Sequence, residues 1–322
     1  MKKAVVIALL LTVGGIAWAQ TENQIVPSDL KQQTIVTEPV TLRKGYFRTG
    51  VLVNYRVADR YFTANGSREY YINNTWGSKT SFNLMVQYGL SDRFQVDISS
   101  DYMKELQEST TTEVTPGTNT SKEVVSKRKG LGPGDSYLTI RYQLVPESRW
   151  LVSLTSTAKL TVPTGKKNPS NIISENQYDL PVGDGTYALT AGLYARSILY
   201  PYSFTAYMNF TRNFTGSKII NTTDATETRF RFGNFVETGI GTNLHLAEWI
   251  VLSNGINYHH EGQGSLNGVN SERMPASWGV FYEPSMIFQI RRFRLGESVT
   301  VPLKGKNIPA DPLFVIMVQY VF

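Results

Sequence analysis

From about residue 45 to the terminal Phe322 the chain is a succession of short segments in which apolar and small or polar side chains alternate. In one of them Phe82, Leu84, Val86 and Tyr88 share one phase while Asn83, Gln87 and Gly89 share the other. In another, Leu138, Ile140, Tyr142 and Leu144 oppose Tyr137, Thr139, Arg141 and Gln143. A third sets Val152, Leu154, Ser156, Ala158 and Leu160 against Ser153, Thr155, Thr157, Lys159 and Thr161. A period of two is that of a β-strand, whose successive side chains point to opposite faces. One face of each strand is therefore oily and the other is wet or hydrogen-bonded. Each segment is about ten residues long, the length a tilted strand needs to cross hydrocarbon. After the first residues there is no run of about eighteen apolar residues, which excludes helical spans.

The pattern predicts twelve strands, near residues 46–58, 81–90, 93–103, 135–145, 149–162, 186–198, 201–212, 228–244, 248–260, 277–290, 293–303 and 313–322. Tight connections at Ser91-Asp92, Pro146-Glu147-Ser148, Leu199-Tyr200, Ala247-Glu248 and Arg291-Arg292 alternate with long ones at 59–80, 104–134, 163–185, 213–227, 261–276 and 304–312. Strict alternation of short and long loops is what an even-stranded antiparallel barrel with both termini on the periplasmic side produces. A soluble sandwich has no reason to obey it. The expected fold is all-β, a transmembrane antiparallel β-barrel in the bacterial outer membrane, surrounded by lipid and lipopolysaccharide. In the last strand Phe314, Ile316, Val318, Tyr320 and Phe322 occupy alternate positions. Tyr320 and Phe322 are similar to the carboxyl-terminal aromatic signal read by the barrel-assembly machinery. Glu297 departs from the pattern, because it falls on the lipid phase between Leu295 and Val299; a bulge or a membrane-edge position would accommodate it.

The amino-terminal residues read as an address. Met1-Lys2-Lys3, the apolar run Val5 to Val13 and Ala17-Trp18-Ala19 before Gln20 describe a secretory signal over residues 1–19. Residues 20–44, with Pro27 and Pro39, form a periplasmic segment or a plug, and 45–322 form the barrel. The chain has no cysteine, which removes thiol chemistry, disulfide frameworks and lipidated cysteines. Its net charge of +6 is not gathered into a stripe, so nucleic acid is not an expected partner.

Gly130-Leu131-Gly132-Pro133-Gly134-Asp135, then Lys159-Leu160-Thr161-Val162-Pro163-Thr164-Gly165, then Val182-Gly183-Asp184-Gly185 are recurrent glycine-rich phrases, and Gly89-Leu90-Ser91-Asp92-Arg93-Phe94 is a tight-turn phrase. Together they resemble the outer-membrane transporter family associated with the meta-pathway of phenol degradation. The resemblance runs from about Tyr46 to Phe322, with Pro133 and Gly134 extending the usual glycine-aspartate junction. It implies a barrel that moves small aromatic or other hydrophobic compounds.

The phase of each strand assigns Arg48, Arg56, Arg141, Lys159, Arg196, Arg229 and Arg231 to the lumen together with Asp97, Asp101, Asp135, Glu237 and Glu283. Seven positive against five negative groups favour anions slightly, unless the charges only pair with one another and brace the strands. Tyr137, Tyr194, Tyr207, Phe235 and Phe281 fall on the same phase and are either an aromatic solute track or simple filling. A serine hydrolase needs a base within hydrogen-bond reach of its nucleophile. Ser253 and His259 share a face, but six residues of extended strand separate them by roughly 20 Å, and Val251 stands where the outer-membrane phospholipase pattern has its histidine. His259-His260-Glu261 lack a second cluster and point alternately, so no metal or other cofactor is expected. The expected function is an outer-membrane channel or transporter, not an enzyme. The alternative is a closed-lumen barrel serving as a structural, adhesin or receptor-type surface protein, because long external loops are where a barrel meets partners.

Overall fold

The computed structural model describes residues 41–71, 75–114, 121–146, 152–168, 180–219, 227–272 and 274–322. The expected signal at 1–19 and most of segment 20–44 lie outside them. β1 (Phe47–Ala58) is followed by the short β2 (Arg60–Phe62) and β3 (Arg68–Tyr70), then by β4 (Trp76–Ser91), β5 (Phe94–Val114), β6 (Ser121–Val145) and β7 (Val152–Val162). β8 (Ala188–Leu199) and β9 (Tyr202–Asn213) lead to the short β10 (Gly216–Ile219) and β11 (Glu227–Arg231), then to β12 (Phe235–Ala247) and β13 (Ile250–Glu261). The short β14 (Ser265–Leu266) and β15 (Val269–Asn270) precede β16 (Ser277–Ile290), β17 (Phe293–Lys306), the short β18 (Ile308–Pro309) and β19 (Leu313–Val321).

The long strands close into a twelve-stranded barrel, in the order β1-β19-β17-β16-β13-β12-β9-β8-β7-β6-β5-β4 and back to β1. Every pair is antiparallel, and β1 seals the ring by pairing with both β4 and β19. Closure leaves no sheet edge in the membrane layer, which matters because an unpaired backbone group in hydrocarbon costs several kcal/mol or so. Opposed residues share a face, so the register sorts inside from outside. Val51, Val318 and Leu295 stand on one outward rung, and Leu52, Met317 and Gly296 on the next, inward one. The resulting burial is inverted relative to a water-soluble protein: outward Ile240 is 65% exposed, whereas inward Arg196 is 1% exposed.

The tight turns after β4, β8, β12 and β16 lie at the same end as the carboxyl terminus. The expected tight turn at Pro146-Glu147-Ser148 falls mostly outside the described residues. At this end Phe322 N donates to the Phe47 carbonyl, and the rings of Phe47, Phe322, Tyr320 and Phe293 follow one another at 4.6–5.5 Å. Trp249 stacks on Phe288 further round the rim. Amphipathic rings at this level form an interfacial belt.

Three departures from the sequence pattern have physical causes. Expected loop 104–134 is largely a β5–β6 ribbon, paired from Tyr102–Pro133 out to Val114–Ser121. Its β-branched residues Thr110, Thr111, Thr112, Val124 and Val125 suit a strand as well as any in the barrel. The expected eighth strand, 228–244, is two elements. The Asn213 amide holds the Gly233 carbonyl at 2.6 Å, and its backbone N–H bonds the Asn234 side chain at 3.0 Å, so the chain turns there and β11 leaves the barrel. No bulge occurs at Glu297, which faces outward on a regular stretch of ladder opposite Met286 and Ile316. It stands four residues, about 13 Å of strand, from the belt residue Phe293.

The short strands form two small sheets, β10-β11-β14-β15 and β18-β2-β3. In the second, Phe62, Ile308 and Ala310 bury themselves on inward Phe281. Asp311 pins this sheet through its carboxylate, which accepts from the backbone N–H groups of Asp59 (3.0 Å) and Arg60 (2.9 Å) and from the Arg60 guanidinium (2.6 Å). Burial pushes the Asp311 carboxyl up, but these bonds outweigh it and hold the group below the ordinary aspartate range. A depressed carboxyl contributes stability that is present above its unfolded value and lost as pH falls through the folded one. Hydrogen exchange of β2 and Ile308, corrected for intrinsic rates, should stay slow at neutral pH and accelerate only below about pH 3.9. Asp311→Asn should abolish that acid step and speed exchange at neutral pH; an unchanged acid step would show that another group pins the sheet.

Candidate functional site

The lumen is layered along the barrel axis. At the tight-turn end it is filled by interlocked polar side chains. Arg48 donates to Gln87 at 2.6 Å, Arg141 donates to Asp97 at 2.7 Å, and the Gln95 amide donates to the other Asp97 oxygen. Across the barrel, Arg196, Asn243, His245 and Ser203 are all buried, with the Asn243 amide donating to Ser203 Oγ at 3.1 Å. The chain preceding β1 enters this floor. Leu42 N donates to Gln95 Oε1 at 2.6 Å, and the Thr41 hydroxyl, 2% exposed, contacts Asp92 O and Gln143 Oε1. Burying such charges is costly unless they are paired or hydrogen-bonded.

Beside the floor and above it the wall is divided, with Val251 standing opposite the floor residue His245. On β1, β13, β16 and β19 the inward residues Leu52, Val251, Ile287, Leu313, Val315 and Met317 make an apolar strip. On the opposite arc lie Tyr137, Tyr194 and Tyr207. Tyr194 and Tyr207 stack with centroids 5.6 Å apart and planes 14° from parallel, and their hydroxyls donate to Asn209 and Asn257. Tyr207 lies flat because its cross-strand partner is Gly239, where a Cβ would overlap the ring. Tyr137 donates to Asp101 at 2.7 Å, Asn83 donates to the second Asp101 oxygen, and Lys159 Nζ sits 5.4 Å from the Tyr137 ring centroid. Glu237 lies 3.7 Å from His259, and Asn257 donates to Glu283 at 3.0 Å. The rings thus line the wall, with Glu237 and His259 partly exposed to the space they surround.

The small sheets stand at the long-loop end. Asp135 is held there by the N–H groups of Gly165 (3.0 Å) and Asp184 (2.9 Å), which ties the glycine-rich phrases of the sequence into one contact. Lys218 sits over Phe230 and Phe232 at 4.5 and 5.1 Å, a cation–π arrangement, and burial pushes its ammonium pKa down. Glu227 is exposed, and bonds from Ser217, Lys167 and Asn168 pull its carboxyl down to about 2.

The sequence-derived residues fall into three groups. Arg48, Arg56, Arg141, Lys159, Arg196, Asp97, Asp101, Asp135, Glu237 and Glu283 are on the inner side, as are Tyr137, Tyr194, Tyr207 and Phe235. Arg229 and Arg231 are not: β11 has left the barrel, and both are exposed on the face opposite buried Phe230. Their removal leaves five charges of each sign among those named, so the expected excess of positive charge disappears. Phe281 faces inward but serves as the seat of Phe62, Ile308 and Ala310 and is therefore filling. The alternation missed the roles of Thr41 and Leu42, which precede the first strand, and of inward Arg294, which donates to Gln289. The phase of Tyr207 did carry the signal for Asn209.

Ser253 and His259 lie on separate rungs, opposite Asn243 and Glu237. A different serine and histidine do meet, Ser203 Oγ and His245 Nε2 at 3.3 Å. Both are buried, the amide of Asn243 bonds the serine, and His245 Nδ1 has no partner. The pair therefore lacks an orienting acceptor on the imidazole and a route for an ester, and it acts as part of the floor.

A closed twelve-stranded sheet with an apolar exterior and a polar interior is the fold of a bacterial outer-membrane barrel, and that membrane is where the protein resides. No protein-family model and no curated protein sequence matches the chain. Among solved structures it is similar to an outer-membrane channel from Pseudomonas putida F1, at a TM-score of 0.66 and 13% identity over 88% of this chain and 98% of that one. The NanC porin superposes at a TM-score of 0.46 and 7% identity, covering 84% of this chain and 98% of that one. The toluene transporter TbuX of Ralstonia pickettii does so at 0.41 and 8%, covering 87% and 90%.

The entry of residues 41–44 into the floor depends on Gly89, where a Cβ would overlap the Arg43 carbonyl oxygen. Gly89→Ala should expel this segment at a cost of about 1–3 kcal/mol. In folded, detergent-solubilised protein, tryptic cleavage at Arg43 and Lys44 should then be several-fold faster than in the wild type. Equal rates would mean that the segment is held by something other than this contact.

Proposed function

We propose that the protein is an outer-membrane channel or transporter for small aromatic or otherwise hydrophobic compounds, with both termini in the periplasm. The observation that carries this reading is the layered lumen: a tyrosine-lined, partly exposed layer stands above a floor that residues 41 and 42 help to close. Flat rings present area with little conformational cost on binding, which suits small apolar solutes better than hydrated ions. The resemblance of the glycine-rich phrases to the phenol meta-pathway transporters agrees with this, and so do the names of the outer-membrane channels with which the fold superposes. Residues 1–19 act as the export signal and 20–44 as a periplasmic segment or plug. Tyr320 and Phe322, at the rim beside Phe47, act as the signal for the barrel-assembly machinery. No hydrolytic role is assigned, since the one serine–histidine contact described is sealed in the floor.

A second reading, a closed barrel that presents a surface for contact, is favoured by one observation: the β5–β6 ribbon continues more than ten residue pairs beyond Ser100. Planar-bilayer recordings separate the two. Wild-type protein should show small, discrete conductance, and removal of residues 20–40 should enlarge it several-fold. Silence in both would sink the plug and favour the surface role or a lateral exit for solute. Uptake of a panel of monoaromatic compounds should fall on gene deletion; unchanged uptake, with no binding of those compounds to the purified protein, would end the transport reading.

A further inference from the structure

The outward face of the barrel carries a basic corner at the long-loop end that the lumen does not use. On β17, Lys304 and Lys306 are two residues apart. Lys306 is opposite Trp278 and Lys304 opposite Val280 on β16, and these in turn are opposite His260 and Tyr258 on β13. The rungs share a face with Tyr258, Ile256 and Ile240, the last two among the most exposed apolar residues, so the lysines point out of the barrel. The register shift between Val280 and Phe281 lies just below them. Above Thr300, β17 has lost its partner β19, and Arg68 of β3 comes to that free edge, donating from Nη2 to the Pro302 carbonyl at 3.3 Å.

Arg68 is spent there, since its guanidinium also lies 5.2 Å from the Phe62 ring; the two outward lysines at the upper end of the strand appear in none of the ion pairs among the described residues. On the adjoining small sheet, Asp59 and Asp311 are taken by Arg60. Trp278 and Tyr258 fix the height of the corner, because such rings settle where hydrocarbon gives way to headgroups. Unpaired lysines at that level face the layer in which lipid phosphates lie, and each is worth roughly a five-fold gain in affinity for an anionic headgroup.

We propose that Lys304 and Lys306, with Trp278 opposite Lys306 on the same outward face, bind the phosphate groups of the phosphorylated glycolipid of the outer leaflet. This rests on the proposed orientation, with the long-loop end outside. Folded full-length protein in detergent, checked by heat-modifiable migration, is titrated with bisphosphorylated lipid A and read by native mass spectrometry. Lys304→Gln with Lys306→Gln should weaken binding roughly 30-fold. Arg291→Gln with Arg292→Gln, at the opposite rim, should leave it unchanged, and dephosphorylated lipid A should bind poorly to all forms. Equal binding by wild type and the Lys304/Lys306 variant, or indifference to the phosphates, overturns the site. Orientation is read separately: the chain has no cysteine, so Ala64→Cys in the β2–β3 turn should react with an impermeant maleimide on intact cells. Lack of that reaction, with labelling after lysis, overturns the orientation and with it the assignment of this corner to the outer leaflet, whatever the titration shows.

Discussion

A backbone inside hydrocarbon has no water with which to hydrogen-bond, and the architecture follows from that single constraint. A sheet satisfies each N–H and C=O only through its neighbours, so it has to close. Closure is made where β1 meets both β4 and β19, so that the first and last long strands of the barrel pair with each other. The pairing at Phe47 and Phe322 is the visible end of this seam.

Closure also inverts the usual distribution of side chains. The hydrophobic effect supplies the outer surface, where lipid replaces water, while the interior has to be held by directed polar contacts. This explains why the tight-turn half contains so many buried arginines, glutamines and asparagines, each with its own partner. It also explains the local exceptions: the strip formed by Leu52, Ile287, Val315 and Met317 is the one large apolar cluster on the inner wall among the described residues. A lumen with one apolar and one tyrosine-rich arc offers an amphipathic surface, whereas a lumen of uniform charge would favour hydrated ions.

The floor and the long-loop end are held by different means. Below, chain segments 41–42 lock into side chains of β4–β6 through a few short bonds. Above, the β18-β2-β3 sheet packs on the apolar seat Phe281, with Asp311 bonding the backbone N–H groups of Asp59 and Arg60. A few hydrogen bonds and one apolar contact are easier to open than a strand ladder, so both ends are drawn from the less stable parts of the molecule.

The twelve strands, their count, their order round the ring and the facing of nearly every lumen residue were legible in the sequence, because the period of two is a local property of the chain. Arg229, Arg231 and Phe281 show the limit of that legibility. A phase tells which side of a strand a residue occupies, but not whether the strand stays in the barrel, which for β11 was decided by Asn213 turning the chain at Gly233. Nor does it tell what lies opposite: Phe281 became a seat for Phe62 because β2 and β18, far apart in the chain, meet above it. The contact of Ser203 with His245 and the approach of Arg68 to the Pro302 carbonyl are of the same kind. The sequence by itself determined that this chain builds a closed membrane-spanning sheet with a wet interior. Only the tertiary structure decided which interior groups meet, where the lumen is closed and which cations remain free, because those depend on long-range register and loop packing that no local period encodes.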